Sequence, residues 1–389
     1  AVKAAVTLSA RYLHDRKLPD KAVDLLDEAG AAKKLALGKK RPDVEPALTP
    51  VVTAVDIEIV VAKMAQIPPK EVSSDARAAL RSLERDLKSA VFGQDEALLA
   101  LTSAIKMSRA GLRNAEKPIG SFLLTGPTGV GKTESAKQLA KTLGIAFFRF
   151  DMSEYMEAHS VSRFLGSPPG YVGHDAGGQL TEAIAKTPHA VLLLDEIEKA
   201  HPQIFNVLLQ VMDHGKLTDG TGKTTDFRHV ILLMTSNVGV RDLSRNTVGF
   251  QTGKATGDAE REYKQLFSPE FRNRLDARIA FAPLSKGTMG NIVNKFIVEL
   301  EGQLADRDVT LSATPAARDW LAERGYDPDM GARPLGRVIQ SEVKQRLTEE
   351  LLFGSLEHGG HVAIDCADDK LNFVFTAKAE QAKVDTFVN

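Results

Sequence analysis

Residues 126–133 read Gly-Pro-Thr-Gly-Val-Gly-Lys-Thr, directly after the apolar run Ser121 to Thr125. The placing of Gly126, Gly131, Lys132 and Thr133 is that of a phosphate-binding loop, which joins a buried strand to a helix and commits the chain around it to a βαβ layout. Glycines let successive backbone N–H groups turn inward with no Cβ in the way. The helix that follows offers the positive end of its dipole to the same phosphates. The expected nucleotide-binding residues are therefore Gly126, Pro127, Thr128, Gly129, Val130, Gly131, Lys132 and Thr133. Lys132 reaches the β/γ-phosphates, and the Thr133 hydroxyl is available to Mg²⁺. A chance glycine-rich turn would lack the strand before it and the helix after it.

The surrounding pattern agrees with that commitment. Apolar strands Phe122 to Thr125, Ala146 to Phe150, Val191 to Leu194 and His229 to Thr235 alternate with helical stretches between Ser74 and Pro283. This predicts an α/β domain with a parallel sheet and nucleotide chemistry at the C-terminal strand ends. Before it, Leu8, Tyr12 and Leu13, then Ala22, Leu25, Leu26 and Ala29, fall on helical stripes. Gly38 to Pro50 reads as a charged, proline-containing linker, and Val55 to Met64 resumes a helix that Pro68-Pro69 ends. After it, helices are expected at Thr288 to Gln303, Pro315 to Arg324 and Pro334 to Leu352, then strands at His361 to Asp365 and Leu371 to Phe375. The expected organisation is a helical remnant of an earlier module with its linker (1–70), a large α/β domain (71–283), a small α+β lid (284–378) and a tail (379–389).

The run Val191 to Leu194 ends in Asp195-Glu196. A strand delivering two carboxylates beside the terminal phosphate gives them different work. Asp195 holds Mg²⁺, directly or through water, and Glu196 polarises the attacking water as general base. An isolated Asp-Glu pair would instead be read as acidic residues opening a helix. The strand ending at Thr235 leads to Ser236-Asn237, where an amide orients that water or senses the γ-phosphate, although Asn237 alone would pass for a turn residue. Composition narrows the partners. A net charge of −1 over 389 residues supplies no basic field for nucleic acid, and Lys33, Lys34, Lys39, Lys40 and Arg41 read as a solvated connection. One cysteine, Cys366, excludes an internal disulfide and suits a reducing, cytoplasmic setting. No apolar run reaches the length of a membrane span, and no signal peptide is visible. Ala1 opens inside a helical pattern, as expected for a piece of a longer protein.

Several motifs together resemble the Clp family of AAA+ ATPases, and within it the second ATPase module of ClpA-type members. They are Val91-Phe92-Gly93-Gln94, Phe150-Asp151-Met152-Ser153-Glu154-Tyr155, Gly170-Tyr171-Val172-Gly173, Asp195-Glu196-Ile197-Glu198-Lys199-Ala200-His201-Pro202, Phe271-Arg272-Asn273-Arg274-Leu275-Asp276 and Gly331-Ala332-Arg333-Pro334. Leu18-Pro19-Asp20-Lys21-Ala22 resembles the end of the first module's small domain. The resemblance implies an AAA+ core with ATP and Mg²⁺. Val91 and Phe92 border the adenine, Asn237 is sensor 1, and Arg333 on the lid is the sensor-2 arginine. Arg274 is implied as the finger completing a neighbour's site, with Arg272 as its competitor.

The same resemblance implies a homohexameric protein unfoldase serving the ClpP peptidase. Tyr171 and Val172 would grip an unfolded or degron-bearing polypeptide in the pore, where residues alone allow a surface turn. Val248-Gly249-Phe250, an apolar tripeptide in the polar stretch Arg241 to Asp258, would dock on ClpP, where local packing is the other reading. A ClpC-type unfoldase and a ClpB-type disaggregase are the alternatives within the family. A nucleic-acid motor would call for basic pore residues in place of Tyr171 and Val172.

Overall fold

The computed structural model describes residues 1–12, 17–38, 51–64, 75–111, 114, 116–166, 177–238, 255–328 and 330–378. Its centre is a five-stranded sheet built from β1 (Gly120–Thr125), β2 (Ala146–Asp151), β3 (Ala190–Asp195), β6 (Val230–Ser236) and β7 (Ala277–Ala280). The strand order is β2-β3-β6-β1-β7, and every neighbouring pair is parallel. A two-stranded hairpin, β4 (Lys216–Thr218) with β5 (Thr224–Asp226), lies outside that sheet.

The unbroken apolar character of β1, β3 and β6 follows from burial on both faces. Phe122, Leu124, Val191, Leu193, Ile231 and Leu233 point into one core. Leu123, Leu192, Leu194, Val230, Leu232 and Met234 point into the other. The first core does not stop at the sheet. It continues through Met289, Val293 and Ile297 of the Lys286–Ala305 helix into the C-terminal unit. That unit has a mixed sheet of β8 (Val309–Ala313), β9 (Gly360–Ala367) and β10 (Lys370–Ala377), with β9 central. Asp368 and Asp369 both take positive φ between β9 and β10, the backbone a two-residue hairpin of the right twist requires. A third, separate cluster joins the Val2–Tyr12, Asp20–Gly38 and Ala54–Met64 helices through Ala5, Leu25, Ile57 and Val61.

Helix starts follow local chemistry. Ser268, Ser285 and Thr314 each accept a backbone N–H from the first turn of the following helix, with Pro269 and Pro315 just inside two of them. The expected helix over Pro334 to Leu352 is three segments, Leu335–Val338, a π-helical Ile339–Lys344 and Gln345–Phe353. The stretch read as a loop to Asp258 ends earlier, because the Ala255–Leu266 helix takes its last residues. Strands β4, β5 and β7 carry too few residues to stand out by alternation, whereas β8 does alternate, with Val309 and Leu311 buried and Thr310 and Ser312 exposed, and sequence reasoning missed it. Residues 39–50 of the expected linker and the tail 379–389 lie outside the described residues.

Gln94, 3% exposed, fastens the entry of the Asp95–Arg109 helix to the chain leaving β7. Its amide donates to Ala282 O at 2.8 Å and accepts from Ala282 N–H at 2.9 Å. Gln94→Leu leaves the Ala282 N–H and C=O without their partner, and a loss of about 1–3 kcal/mol is expected from the urea unfolding midpoint.

Candidate functional site

The loop after β1 turns on glycine backbone. Gly126, Gly129 and Gly131 have φ of 141°, 73° and 106°, all in the region that side chains disfavour. At Gly129 the reason is also steric, because a Cβ there would sit 2.0 Å from Met330 O. The lid loop therefore lies directly on the phosphate loop, tied by Ala332 N–H to Gly129 O at 3.2 Å. Between them opens a cleft of about 440 Å³. Its walls carry Thr128, Gly129, Gly131, Lys132 and Thr133 from the loop, Asp195 and Glu196 after β3, Asn237 after β6, and Arg333 from the lid.

Lys132 is 7% exposed. Its ammonium donates to the Gly126 carbonyl, to Pro127 O at 2.9 Å and to Asn237 Oδ1 at 2.8 Å. Burial lowers its pKa from the ordinary lysine range to about 8, against the attraction of Glu198, Asp195 and Glu196. Asp195 Oδ2 accepts from Thr133 Oγ1 at 3.3 Å, and Oδ1 accepts from Thr235 Oγ1. Thr133 and Asp195 thus present two hard oxygen donors to each other, a pair suited to Mg²⁺.

Glu196 holds φ of 56°, an uncommon conformation for a residue with a Cβ. Its backbone N–H donates to Thr235 Oγ1 at 3.0 Å, and its carboxylate meets Lys199 Nζ at 2.5 Å. Strain of this kind clusters at functional sites. Asn237 N–H donates to Glu198 Oε1 at 3.1 Å, which leaves its side chain aimed at Lys132. Arg333 is exposed at the cleft mouth.

The remaining expected residues fall around this centre. Val91, 5% exposed, packs against the loop, with its Cγ1 3.1 Å from where a Gly131 Cβ would be. Phe92 is half-buried, and Val130 is 2% exposed. Arg274 is not at the cleft. It pairs with Asp213 at 2.5 Å and Glu270 at 3.1 Å. Tyr171 and Val172, and Val248, Gly249 and Phe250, lie outside the described residues.

Sequence reasoning missed Arg149, Thr235 and Glu198. Arg149 donates to Asp195 Oδ2 through Nε at 2.9 Å, with Nη2 2.7 Å from the same oxygen. Its signal was a cation in the otherwise aromatic run Phe147-Phe148-Arg149-Phe150 next to Asp151. Strand order was needed to use it, because only the β2–β3 register sets Asp151 opposite Asp195.

Residues 117–278 match the family described as AAA domain (Cdc48 subfamily), 284–364 the C-terminal D2-small domain of ClpB protein, and 1–90 an AAA lid domain. The chain is 57% identical over 371 residues to a ClpA homolog protein of Fuscovulum blasticum, covering 95% of this chain and 46% of that protein. It is 42% identical over 439 residues to the negative regulator of genetic competence ClpC/MecB of Bacillus subtilis, covering 97% and 54%. A chaperone protein ClpB of Oceanobacillus iheyensis is 41% identical over 425 residues, covering 94% and 52%. The chain spans about half the length of the curated relatives it matches.

A Lys132 ammonium that titrates near pH 8 makes phosphate binding pH-dependent. The bound anion favours the protonated form, so affinity for a fluorescent ADP in EDTA is expected to fall about tenfold as pH rises from 7 to 9. Stability of the free protein runs the other way. The unfolded lysine keeps its proton up to its ordinary 10.5, so this group's contribution grows as pH rises from about 8 towards that value.

Proposed function

The chain belongs to the Clp family of AAA+ ATPases, and from that membership we propose that it is the second ATPase module of an ATP-driven protein unfoldase and translocase. The supporting observation is the convergence of Lys132, Thr133, Asp195, Glu196, Asn237 and Arg333 on one cleft beneath the lid. In this proposal the loop N–H groups from Gly126 to Thr133, with Lys132, bind the phosphates of ATP, while Val91 and Phe92 border the base. Thr133 and Asp195 hold Mg²⁺, which supplies charge neutralisation to the phosphates when bound. Glu196 takes a proton from the attacking water, Asn237 positions that water or reads the γ-phosphate, and Arg333 reports the γ-phosphate to the lid. Arg274 acts on a neighbouring subunit's site. The segments 1–70, 71–283, 284–378 and 379–389 serve as first-module remnant, motor domain, lid and tail.

Hydrolysis becomes mechanical work in a homohexamer. A partly buried aromatic contributes about 1–3 kcal/mol, whereas a client domain is stable by roughly 5–15 kcal/mol. One Tyr171 is therefore too weak, and several around a ring, each backed by Val172 and moved in turn, are needed to hold and pull an unfolded or degron-bearing chain. Val248-Gly249-Phe250 would dock on ClpP, with repeated weak loops made strong by effective concentration. The net charge of −1 favours a polypeptide over nucleic acid as the threaded chain. No helix among the described residues is long and apolar enough to cross a membrane, in keeping with the proposed work in the cytoplasm on proteins rather than in a bilayer.

The higher identity to the ClpA homolog than to the ClpC and ClpB relatives favours the ClpA-type role over a ClpC-type unfoldase or a ClpB-type disaggregase. The deciding experiment is ATP-dependent binding to ClpP, wild type against Phe250→Ala, read by sedimentation and by degradation of an unfolded client. Binding and degradation that are lost in the variant are expected. A hexamer with intact ATPase that ignores ClpP would instead speak for a disaggregase.

Within the site, Glu196→Gln is expected to bind ATP and assemble while turnover falls by about 10²–10⁴-fold. Lys132→Ala is expected to lose nucleotide affinity itself. Steady-state ATPase and fluorescent-nucleotide binding separate the two, and normal turnover in either variant would sink these roles.

A further inference from the structure

Among the described residues lining the cleft, Arg149 is the one cation that the proposed hydrolytic machinery does not use. Its guanidinium is placed with unusual economy. Nε donates to Asp195 Oδ2 at 2.9 Å, and Nη2 lies 2.7 Å from the same oxygen. That oxygen is also the one facing Thr133 Oγ1, so Arg149 occupies the carboxylate face that a divalent cation between Thr133 and Asp195 would need. The other oxygen, Oδ1, is already held by Thr235. Arg149 and Thr133 thus take both lone-pair directions of Oδ2, and Thr235 takes one of the two on Oδ1.

The side chain is not locked in place. Arg149 is 48% exposed, against 10% for the Asp195 side chain it covers. A second carboxylate stands within reach, with Asp151 Oδ2 at 3.8 Å from the same Nη2. Ser153 claims the other oxygen of Asp151 through both its N–H and its hydroxyl, which leaves Oδ2 turned toward Arg149. The β2–β3 register fixes this arrangement, because it sets Asp151 opposite Asp195 and places Arg149 two residues back on the same strand. A guanidinium keeps its charge at any working pH and suits both carboxylates by its flat fork. Two cations in contact with one oxygen repel each other, so a metal ion at Oδ2 weakens the hold of Arg149 there.

We propose that Arg149 is a built-in stand-in for the divalent cation: it neutralises Asp195 while the site holds no metal, and passes to Asp151 when Mg²⁺ takes the carboxylate. This rests on the assignment of Thr133 and Asp195 as the Mg²⁺-holding pair. One consequence is that nucleotide can enter without metal, because Asp195 does not then confront the phosphates as a bare negative charge. A second is that Mg²⁺ gains less from entering than it would at an uncompensated carboxylate.

Fluorescent ADP provides the test, with affinity measured in EDTA and in saturating Mg²⁺ and expressed as the affinity in Mg²⁺ divided by that in EDTA. Relative to wild type, Arg149→Gln is expected to raise that ratio about tenfold, chiefly by weakening binding in EDTA through an uncompensated Asp195. Arg149→Lys keeps the charge but loses the fork, and about a threefold rise is expected. An unchanged ratio in Arg149→Gln overturns the proposal. If that variant does not fold, an unchanged ratio in Arg149→Lys does so. Asp195→Asn separates the two levels of inference. Should it retain the wild-type metal dependence, the metal assignment itself falls. Should it abolish that dependence while both Arg149 variants match wild type, only the role of Arg149 falls.

Discussion

A buried ammonium must be surrounded by acceptors, and at Lys132 this requirement organises the whole centre. The group sits 7% exposed at the first turn of a helix, where the local dipole is already positive. Its acceptors come from Gly126, Pro127 and Asn237. The first two exist only because the loop between β1 and its helix turns back on itself through glycines of positive φ. The third exists only because β6 ends beside β1 in the sheet. Burial still outweighs the neighbouring carboxylates and brings the pKa down to about 8. The cation is held ready but poorly compensated, the state in which an incoming phosphate gains most.

The same loop ties two folding units into one device. A Cβ at Gly129 would strike Met330 O, and a Cβ at Gly331 would come 2.7 Å from Thr128 O. Backbone packs on backbone there, leaving no soft side chain to absorb a shift. Lys295, on the helix that opens the C-terminal unit, adds a bond to Glu134 Oε1 at 2.7 Å, on the first turn after the phosphate loop. The hydrophobic core also runs unbroken from the sheet into that unit. A ligand that repositions the phosphate loop or Arg333 must therefore move the lid, since packed interiors answer small displacements by shifting as bodies.

Much of this was legible in the chain because the strongest signals were local. The phosphate loop, the four long apolar strands and Asp195-Glu196 each declare themselves within a few residues. The short strands β4, β5 and β7 do not, because their stability comes from neighbours rather than from their own alternation. The π-helical Ile339–Lys344 was read as plain helix, since its buried Ile339 and Val343 keep ordinary helical spacing. Arg149, Thr235 and Glu198 were missed for a different reason. Each acts through partners on other strands, so its meaning appears only when β2, β3 and β6 are set side by side.

The proposed contribution of Arg274 to a neighbouring subunit can be weighed against its own surroundings. Of the two arginines in Phe271-Arg272-Asn273-Arg274, Arg272 leans over the Tyr263 ring at 5.8 Å, with its Nε shut away from any acceptor among the described residues. Arg274 instead faces Asp213 and Glu270 at the surface, and it is absent from the lining of its own cleft. Packing thus favours Arg274 over Arg272 as the group able to reach a neighbour. Exposed ion pairs are weak and screened by salt, whereas an arginine brought to the developing charge of phosphoryl transfer is worth roughly 10³–10⁵ in rate. The part-buried tether to Asp213 and Glu270 is the smaller of the two terms. In the proposed trans role, that tether would keep the guanidinium ordered on a lone subunit, and fast hydrolysis would wait for an interface that supplies a better anion.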